Sequence, residues 1–423
     1  MRRASVISGV AAVLLVSVAA CNAIVDATGD VPGSMDSSIP VVEPPPSPVP
    51  GRDGGAAPAP SSAPEAGPAP EAGAAPIAEA GPGSIPEVDA GPCGHSCLGG
   101  TCDVDSGLCL PEQLGTGFVR TTAVVADPGT IGSVFFASYD NGAVYRVDKA
   151  TGAIAPSYPV TNDGTPTAVG IVTTASTVYW TSALNGDLAW ATRNGATSAT
   201  VLPTSYGVSW SGPWWMGSDA QYLYWCDRWG YDCWRMDFGL TTPQRIFTEK
   251  LPDGGAGSEQ LWGGMAVEPG PNGYFFVAAL NQLSRMNKDG TGVVAFAHVS
   301  GQSVVGLDGG YVYWVNATGA LLRAPEASPP PCDTAPCAQT VVAAGKANIP
   351  GAQAFDKDYV YWADGSLSAV SRARKDGSSE PQPLAFHRSI SGLAVDDVAV
   401  YYAVQWEDQD AGVPTGSLYR VAK

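Results

Sequence analysis

Val178-Tyr179-Trp180-Thr181, Leu223-Tyr224-Trp225-Cys226, Val312-Tyr313-Trp314-Val315 and Val360-Tyr361-Trp362-Ala363 are one phrase written four times: an apolar residue, two aromatics, then a smaller side chain. Three further stretches carry it more loosely: Val134-Phe135-Phe136-Ala137, Tyr274-Phe275-Phe276-Val277 and Val400-Tyr401-Tyr402-Ala403. The second aromatics stand 44, 45, 51, 38, 48 and 40 residues apart. That period fits one four-stranded sheet per repeat, the unit of a β-propeller. The expected fold class is all-β, a seven-bladed β-propeller, with six blades as the alternative count.

The aromatic doublet opens the second strand of each blade. Successive side chains on a strand point to opposite faces, so one ring turns toward each neighbouring blade. Upstream lies a small-apolar run such as Gly264-Met265-Ala266-Val267 or Gly392-Leu393-Ala394-Val395. This reads as the inner strand, where glycine and alanine suit the crowding at the axis. Between the two comes Thr174, Asp219, Asp308, Asp356 or Asp396, with Asp127 and Glu268 slightly further upstream in the first and fourth repeats. A side-chain oxygen there can cap the turn's N–H groups. The third strands end in a base, as in Ala143-Val144-Tyr145-Arg146 and Leu418-Tyr419-Arg420, expected to face solvent or satisfy turn carbonyls. The last repeat stops at its third strand, and Pro111-Glu112-Gln113-Leu114 is expected to supply its missing outer strand, removing the open edge.

Ahead of the propeller (111–423) the chain divides into 1–20, 21–92 and 93–110. Arg2 and Arg3 precede an uncharged run of 15 residues, Val6 to Ala20, which reads as a secretory signal. Residues 22–92 are rich in Pro, Ala, Gly and Ser and lack the aromatics a core needs, so a disordered tether is expected. Its coil dimension is roughly 45–50 Å. Cys93, Cys97, Cys102 and Cys109 form a module too short to bury a core, so two disulfides must hold it, in any of three pairings. Cys226 with Cys233 and Cys332 with Cys337 make two local pairs. Eight cysteines beyond Cys21 suit an oxidising compartment. His95 among the cysteines permits a zinc reading, and Asp103-x-Asp105-x-Gly107 faintly echoes a calcium loop; the spacing fits neither fully.

Net charge is −18, split evenly between residues 1–110 and 111–423, and no element carries a basic cluster. Nucleic-acid binding, which needs a cationic face, is excluded as an expectation. No Gly-x-Ser-x-Gly elbow, phosphate-binding Gly-rich loop or His-Glu-x-x-His pair occurs. The chemistry on offer is aromatic. The loops entering the inner strands share one face with those joining strands two and three. Trp210, Trp214, Trp215, Trp229, Tyr231, Trp262 and Trp406 are assigned to them, with Asp227 and Asp232 alongside. Such rings stack on sugars or anchor protein partners. A Cys226–Cys233 bridge would hold Trp229 and Tyr231 on a stiff loop and lower the entropy cost of binding.

Val18-Ala19-Ala20-Cys21 resembles the lipobox of bacterial lipoproteins, which implies cleavage before Cys21 and a lipid on its sulfur. Asn22, where an Asp would favour the inner membrane, leaves the outer membrane as the expected address. Tyr179-Trp180-Thr181-Ser182, Tyr224-Trp225-Cys226-Asp227 and Tyr361-Trp362-Ala363-Asp364 resemble the YWTD motif of low-density-lipoprotein-receptor-type propellers, although no repeat is complete and that family has six blades. The whole plan is similar to myxobacterial-type lipoproteins with YWTD-like repeats. The resemblance implies an exported, lipid-anchored propeller that binds proteins or other ligands; the expectation is a monomeric binding module, without cofactor, for an envelope protein or polysaccharide. It transfers no catalytic residue. The alternative is a propeller hydrolase or lactonase with a metal, Ca2+ for instance, in its central channel.

Overall fold

The computed structural model describes residues from Cys93 to Lys423, except 160–166, 203–211, 228–231, 249–262, 300–304, 333–336, 345–351, 406–414 and a few shorter stretches. All lie in the unit Gly81–Lys423. Cys21, its lipobox and the residues read as a tether fall outside them.

Seven four-stranded antiparallel sheets follow one another along the chain. Blades 1 to 6 occupy 121–159, 168–202, 213–248, 265–298, 306–343 and 353–386. Blade 7 takes its first three strands from 390–422 and its outer strand, Glu112–Phe118, from the other end of the propeller sequence. Glu112 pairs with Arg420, Gln113 with Tyr419 and Thr116 with Ser417. The expected ring closure is present, and the strand runs four residues beyond Leu114. Leu114 and Phe118 seal it, both under one-tenth exposed.

Seven apolar clusters fill the seven junctions between blades. The doublets build them as the alternation of strand side chains requires. Tyr224 sits in the cluster between blades 3 and 4, and Trp225 in that between blades 2 and 3. Tyr313 faces blade 6 and Trp314 faces blade 4. The rings are at most 6 % exposed, which identifies them as core and not as a ligand platform. Blade 4 corrects the sequence alignment by one position. Tyr274 pairs like Tyr222 and Tyr359, at the far end of the third strand, so Phe276 takes the tyrosine's place and Val277 the tryptophan's. Phe276 accordingly packs toward blade 5 and Val277 toward blade 3.

The inner strands crowd as expected. A Cβ on Gly170 would lie 2.8 Å from Met216 of blade 3, and one on Gly392 2.9 Å from Val124 of blade 1. The turn acids cap as expected too. Asp356 Oδ1 accepts the amides of Asp358 and Tyr359, and Asp396 Oδ1 those of Val398 and Ala399. Asp127 and Glu268 head longer turns, and each accepts the amide six residues on, from Ser133 and Tyr274.

These acids also join blade to blade, a role the sequence reading missed. The residue that follows each third strand reaches back to the acid of the preceding blade. Lys288 Nζ lies 2.9 Å from Asp219, Lys423 Nζ 2.8 Å from Asp356 and Lys149 Nζ 2.7 Å from Asp396. Arg193 pairs with Asp127 and Lys375 with Asp308 in the same way. The third-strand arginines complete the clasp. Arg146, Arg235 and Arg420 donate to the carbonyls of Arg193, Lys288 and Lys149, each on the following blade. Two junctions depart from the scheme. Between blades 2 and 3, Thr174 and Phe238 hold the two places, and Phe238 packs 5.7 Å from the Tyr179 ring. Between blades 4 and 5, both places hold glutamate, Glu268 and Glu326.

Burial alone would raise the pKa of Asp356. The Lys423 ammonium, the Tyr361 hydroxyl and two turn amides outweigh burial and bring it down to about 2 from its ordinary 3.8. A depressed carboxylate adds stability that is present above its unfolded value and lost as pH falls through its folded one. Asp356 therefore contributes about 2 kcal/mol at neutral pH, fading between pH 4 and 2. Urea titrations of wild type and Asp356→Asn are expected to differ by about that amount at pH 6 and to converge toward pH 2.

The cysteine module pairs Cys93 with Cys102 and Cys97 with Cys109 around a two-stranded ladder, Cys102–Asp103 with Leu108–Cys109. This is one of the three pairings the sequence left open. Cys93 and Cys109 pack into the cluster between blades 6 and 7, and Arg420 donates to the Leu98 carbonyl at 3.1 Å. The module is thus docked on the closing blade. Cys226–Cys233 and Cys332–Cys337 are also bonded.

Candidate functional site

The loops joining second to third strands share a face with those entering the inner strands. Arg120, Tyr139 and Asp140 of blade 1 meet Trp214 of blade 3 on this rim. The Tyr139 amide donates to the Arg120 carbonyl at 2.9 Å and fixes the turn against the start of the first inner strand. The Arg120 guanidinium stands 4.9 Å from the Tyr139 ring centre and 3.6 Å from the Asp140 carboxylate. Both charged side chains are about 40 % exposed, so the group is open to solvent. The Trp214 ring centre lies 5.9 Å from that of Tyr139. Blade 2 can be spanned this way because its inner strand carries Gly170, where a Cβ would stand only 3.0 Å from the Trp214 carbonyl oxygen.

Trp214 and Trp215 were assigned to a loop, and the structure places both on the inner strand of blade 3, Pro213–Ser218. The assignment missed them because this strand opens with proline and two tryptophans instead of the small residues of its counterparts. Trp215 packs inward against the cluster between blades 3 and 4. Trp214, beside a register shift between Pro213 and Trp215, is directed to the rim. Tyr139 and Arg120 were not singled out; the turn Tyr139-Asp140-Asn141-Gly142, on the predicted face, was the available signal.

Asp227 does not stand at the surface as the sequence reading had it. It is 1 % exposed and its Oδ2 accepts the Trp234 indole N–H at 3.2 Å. Its acid serves the blade. Asp232 is half-buried and accepts the Thr248 hydroxyl at 2.6 Å, with Arg245 3.6 Å away. Cys226 and Cys233 are fully buried at the root of this hairpin. Trp210, Trp229, Tyr231, Trp262 and Trp406 lie outside the described residues.

Cys93, Cys97 and Cys109 are the single group of His, Cys, Asp and Glu close enough to hold a metal among the described residues, and all three are in disulfides, so they offer no thiolate. Asp103 Oδ1 accepts the Asp105 amide at 3.1 Å and thereby caps its own turn. The inner strands are built chiefly of apolar and small residues, as in Thr121–Ala126 and Ala168–Thr173. His387 Nδ1 lies 2.8 Å from the Tyr402 hydroxyl and its ring stacks on Tyr419, bracing blade 7.

No protein-family model and no curated protein sequence matches the chain. Among solved structures it is similar to a streptogramin B lyase, at 12% identity and a TM-score of 0.55, over 73% of this chain and 96% of that one. It is similar also to virginiamycin B lyase from Staphylococcus aureus, at 10% identity and a TM-score of 0.53, over 72% of this chain and 95% of that one. At such identities the likeness is one of fold. The chain is a seven-bladed β-propeller protein.

Proposed function

We propose that this protein is an exported, lipid-anchored binding module of the cell envelope, non-catalytic, whose propeller rim recognises a protein or a glycan. The observation that carries the reading is the solvent-open group of Trp214, Tyr139, Arg120 and Asp140 on the loop face. Two tilted aromatic rings beside a guanidinium and a carboxylate offer stacking surface, donors and an acceptor, the chemistry that recognises sugar rings or anchors a protein side chain. The sequence assigns Trp229, Tyr231 and Trp406 to loops of the same face. The lipobox at Val18 to Cys21 supports the anchor, and four disulfides support export.

Glycan arrays and pull-downs from envelope extracts with the purified protein test the reading. Tyr139→Ala and Trp229→Ala are each expected to weaken binding of the captured ligand about ten- to a hundredfold. Their melting temperatures should stay near that of wild type. Turnover of lactones by the purified protein, with calcium bound, would establish the hydrolase instead.

A further inference from the structure

The junction between blades 4 and 5 breaks the pattern of the ring. Elsewhere a turn acid meets a cation from the next blade, or, between blades 2 and 3, a threonine stands beside a phenylalanine. Here Glu326 follows its third strand, Leu321–Pro325, at the place that Lys149, Lys288, Lys375 and Lys423 occupy in other blades. It is 5 % exposed, and it faces Glu268, which holds the acid's place in the same clasp. Its backbone is pinned as firmly as theirs: the Glu326 amide donates to the Gly310 carbonyl at 3.0 Å, and Arg285 donates to the Glu326 and Ser328 carbonyls. The glutamate is therefore held against an acid in a space built for a salt bridge.

We propose that a proton does at this seam what lysine does at the others: Glu268 and Glu326 share one hydrogen between their carboxyl groups, and its loss loosens the ring at this junction alone. Two carboxylates in contact out of water repel, whereas a carboxylic acid donating to a carboxylate forms a strong, charge-assisted hydrogen bond. The surrounding charges have been committed elsewhere. Lys288, whose charge reaches Glu326, is bound by Asp219 and the Gly270 carbonyl, and it only partly offsets the repulsion. Arg285 donates through Nη1 to the Glu326 and Ser328 carbonyls and lies over the Tyr274 and Phe296 rings. Glu268 Oε2 already accepts the Tyr274 amide. Burial first, then the hydrogen bond to Glu268 and its charge, push Glu326 up to about 7 from an ordinary 4.5.

The sign follows from proton linkage. Between pH 4.5 and 7 the folded chain holds a proton that the unfolded chain releases, so stability falls as pH rises and levels off above 7. The depressed carboxylates, Asp356 among them, act below pH 4 and in the opposite sense. This device concerns the face opposite the rim and stands whatever the rim binds.

The test uses urea unfolding of the full chain from pH 4.5 to 8, comparing wild type, Glu326→Gln, Glu268→Gln and Glu326→Lys. Wild type relative to either glutamine variant is expected to lose about a hundredfold in its folded-to-unfolded ratio across that range. Glu326→Lys, which restores the clasp, should exceed wild type at pH 8. Hydrogen exchange, corrected for its intrinsic pH dependence, should quicken between pH 6 and 8 in Met265–Val267 and Gly306–Asp308 of wild type and not of Glu326→Gln. Parallel pH profiles for wild type and Glu326→Gln, or exchange that quickens equally in all blades, would overturn the proposal.

Discussion

Lys149→Met is expected to destabilise the protein by about 3–5 kcal/mol, the cost of stranding a buried charge. Lys149 and Asp396 are almost wholly out of water, at 1 % and 0 % side-chain exposure. The ammonium also donates to the Asp127 carbonyl and faces the Tyr401 ring at 5.4 Å. It thereby ties together the two blades where the ring closes. Without it, Asp396 keeps the Tyr401 hydroxyl and two amides but loses the salt-bridge partner of its carboxylate. Burial works to raise the Asp396 pKa; at present the lysine's hydrogen bond, the amides and the lysine's charge override it and hold the group below its ordinary value. Removing the acid as well should restore most of the loss, since a neutral asparagine has less to lose from burial. Urea titration at pH 7 of Lys149→Met and of Lys149→Met with Asp396→Asn makes the measurement. Equal stabilities for the two would show that the charge is not what the lysine balances.

Deleting residues 112–118 is expected to cost more than any point change. The strand contributes Leu114 and Phe118 to the junction between blades 7 and 1, where Phe118 meets Phe136 at 4.5 Å and Tyr145 at 5.0 Å. Side chains of this size cost about 2–5 kcal/mol each on removal from a core. The sum is comparable with the whole stability of a domain. The Glu112 salt bridge to Arg420 goes too, and the third strand of blade 7 becomes an exposed edge open to pairing with other chains. The expected result is a chain that unfolds far below wild type and associates on concentration. A cooperative transition at the wild-type temperature would mean that the last blade stands with three strands.

The doublets made most of the ring legible because one physical demand, a wide flat ring on each face of each blade, recurs in phase. The same rule explains the slip in blade 4. Tyr274, Phe275 and Phe276 are three aromatics in a row, and the eye takes the last two as the pair. With the register corrected, Glu268 stands as far from Val277 as Asp127 does from Phe136. The clasps were hidden for a different reason. Each joins residues of two blades, and the cation's place is filled by Lys, Arg, Phe or Glu in turn, so no single repeat displays it. Cysteine pairing in 93–109 is a question of which chain segments lie side by side, and spacing does not answer it. Trp214 was misplaced because the rule used for inner strands, small residues at the axis, fails where Gly170 on the neighbouring blade has already made the room.

Ring closure joins positions some three hundred residues apart, and a cysteine pair reads it directly. Thr116 and Ser417 face one another in the register of the closing sheet, one exposed and one buried. In the variant Thr116→Cys with Ser417→Cys, proteolysis without reductant followed by mass spectrometry is predicted to yield one peptide linking residues 116 and 417. The four native disulfides should be intact beside it. Two unlinked thiols in a folded protein would contradict the closed seven-bladed ring.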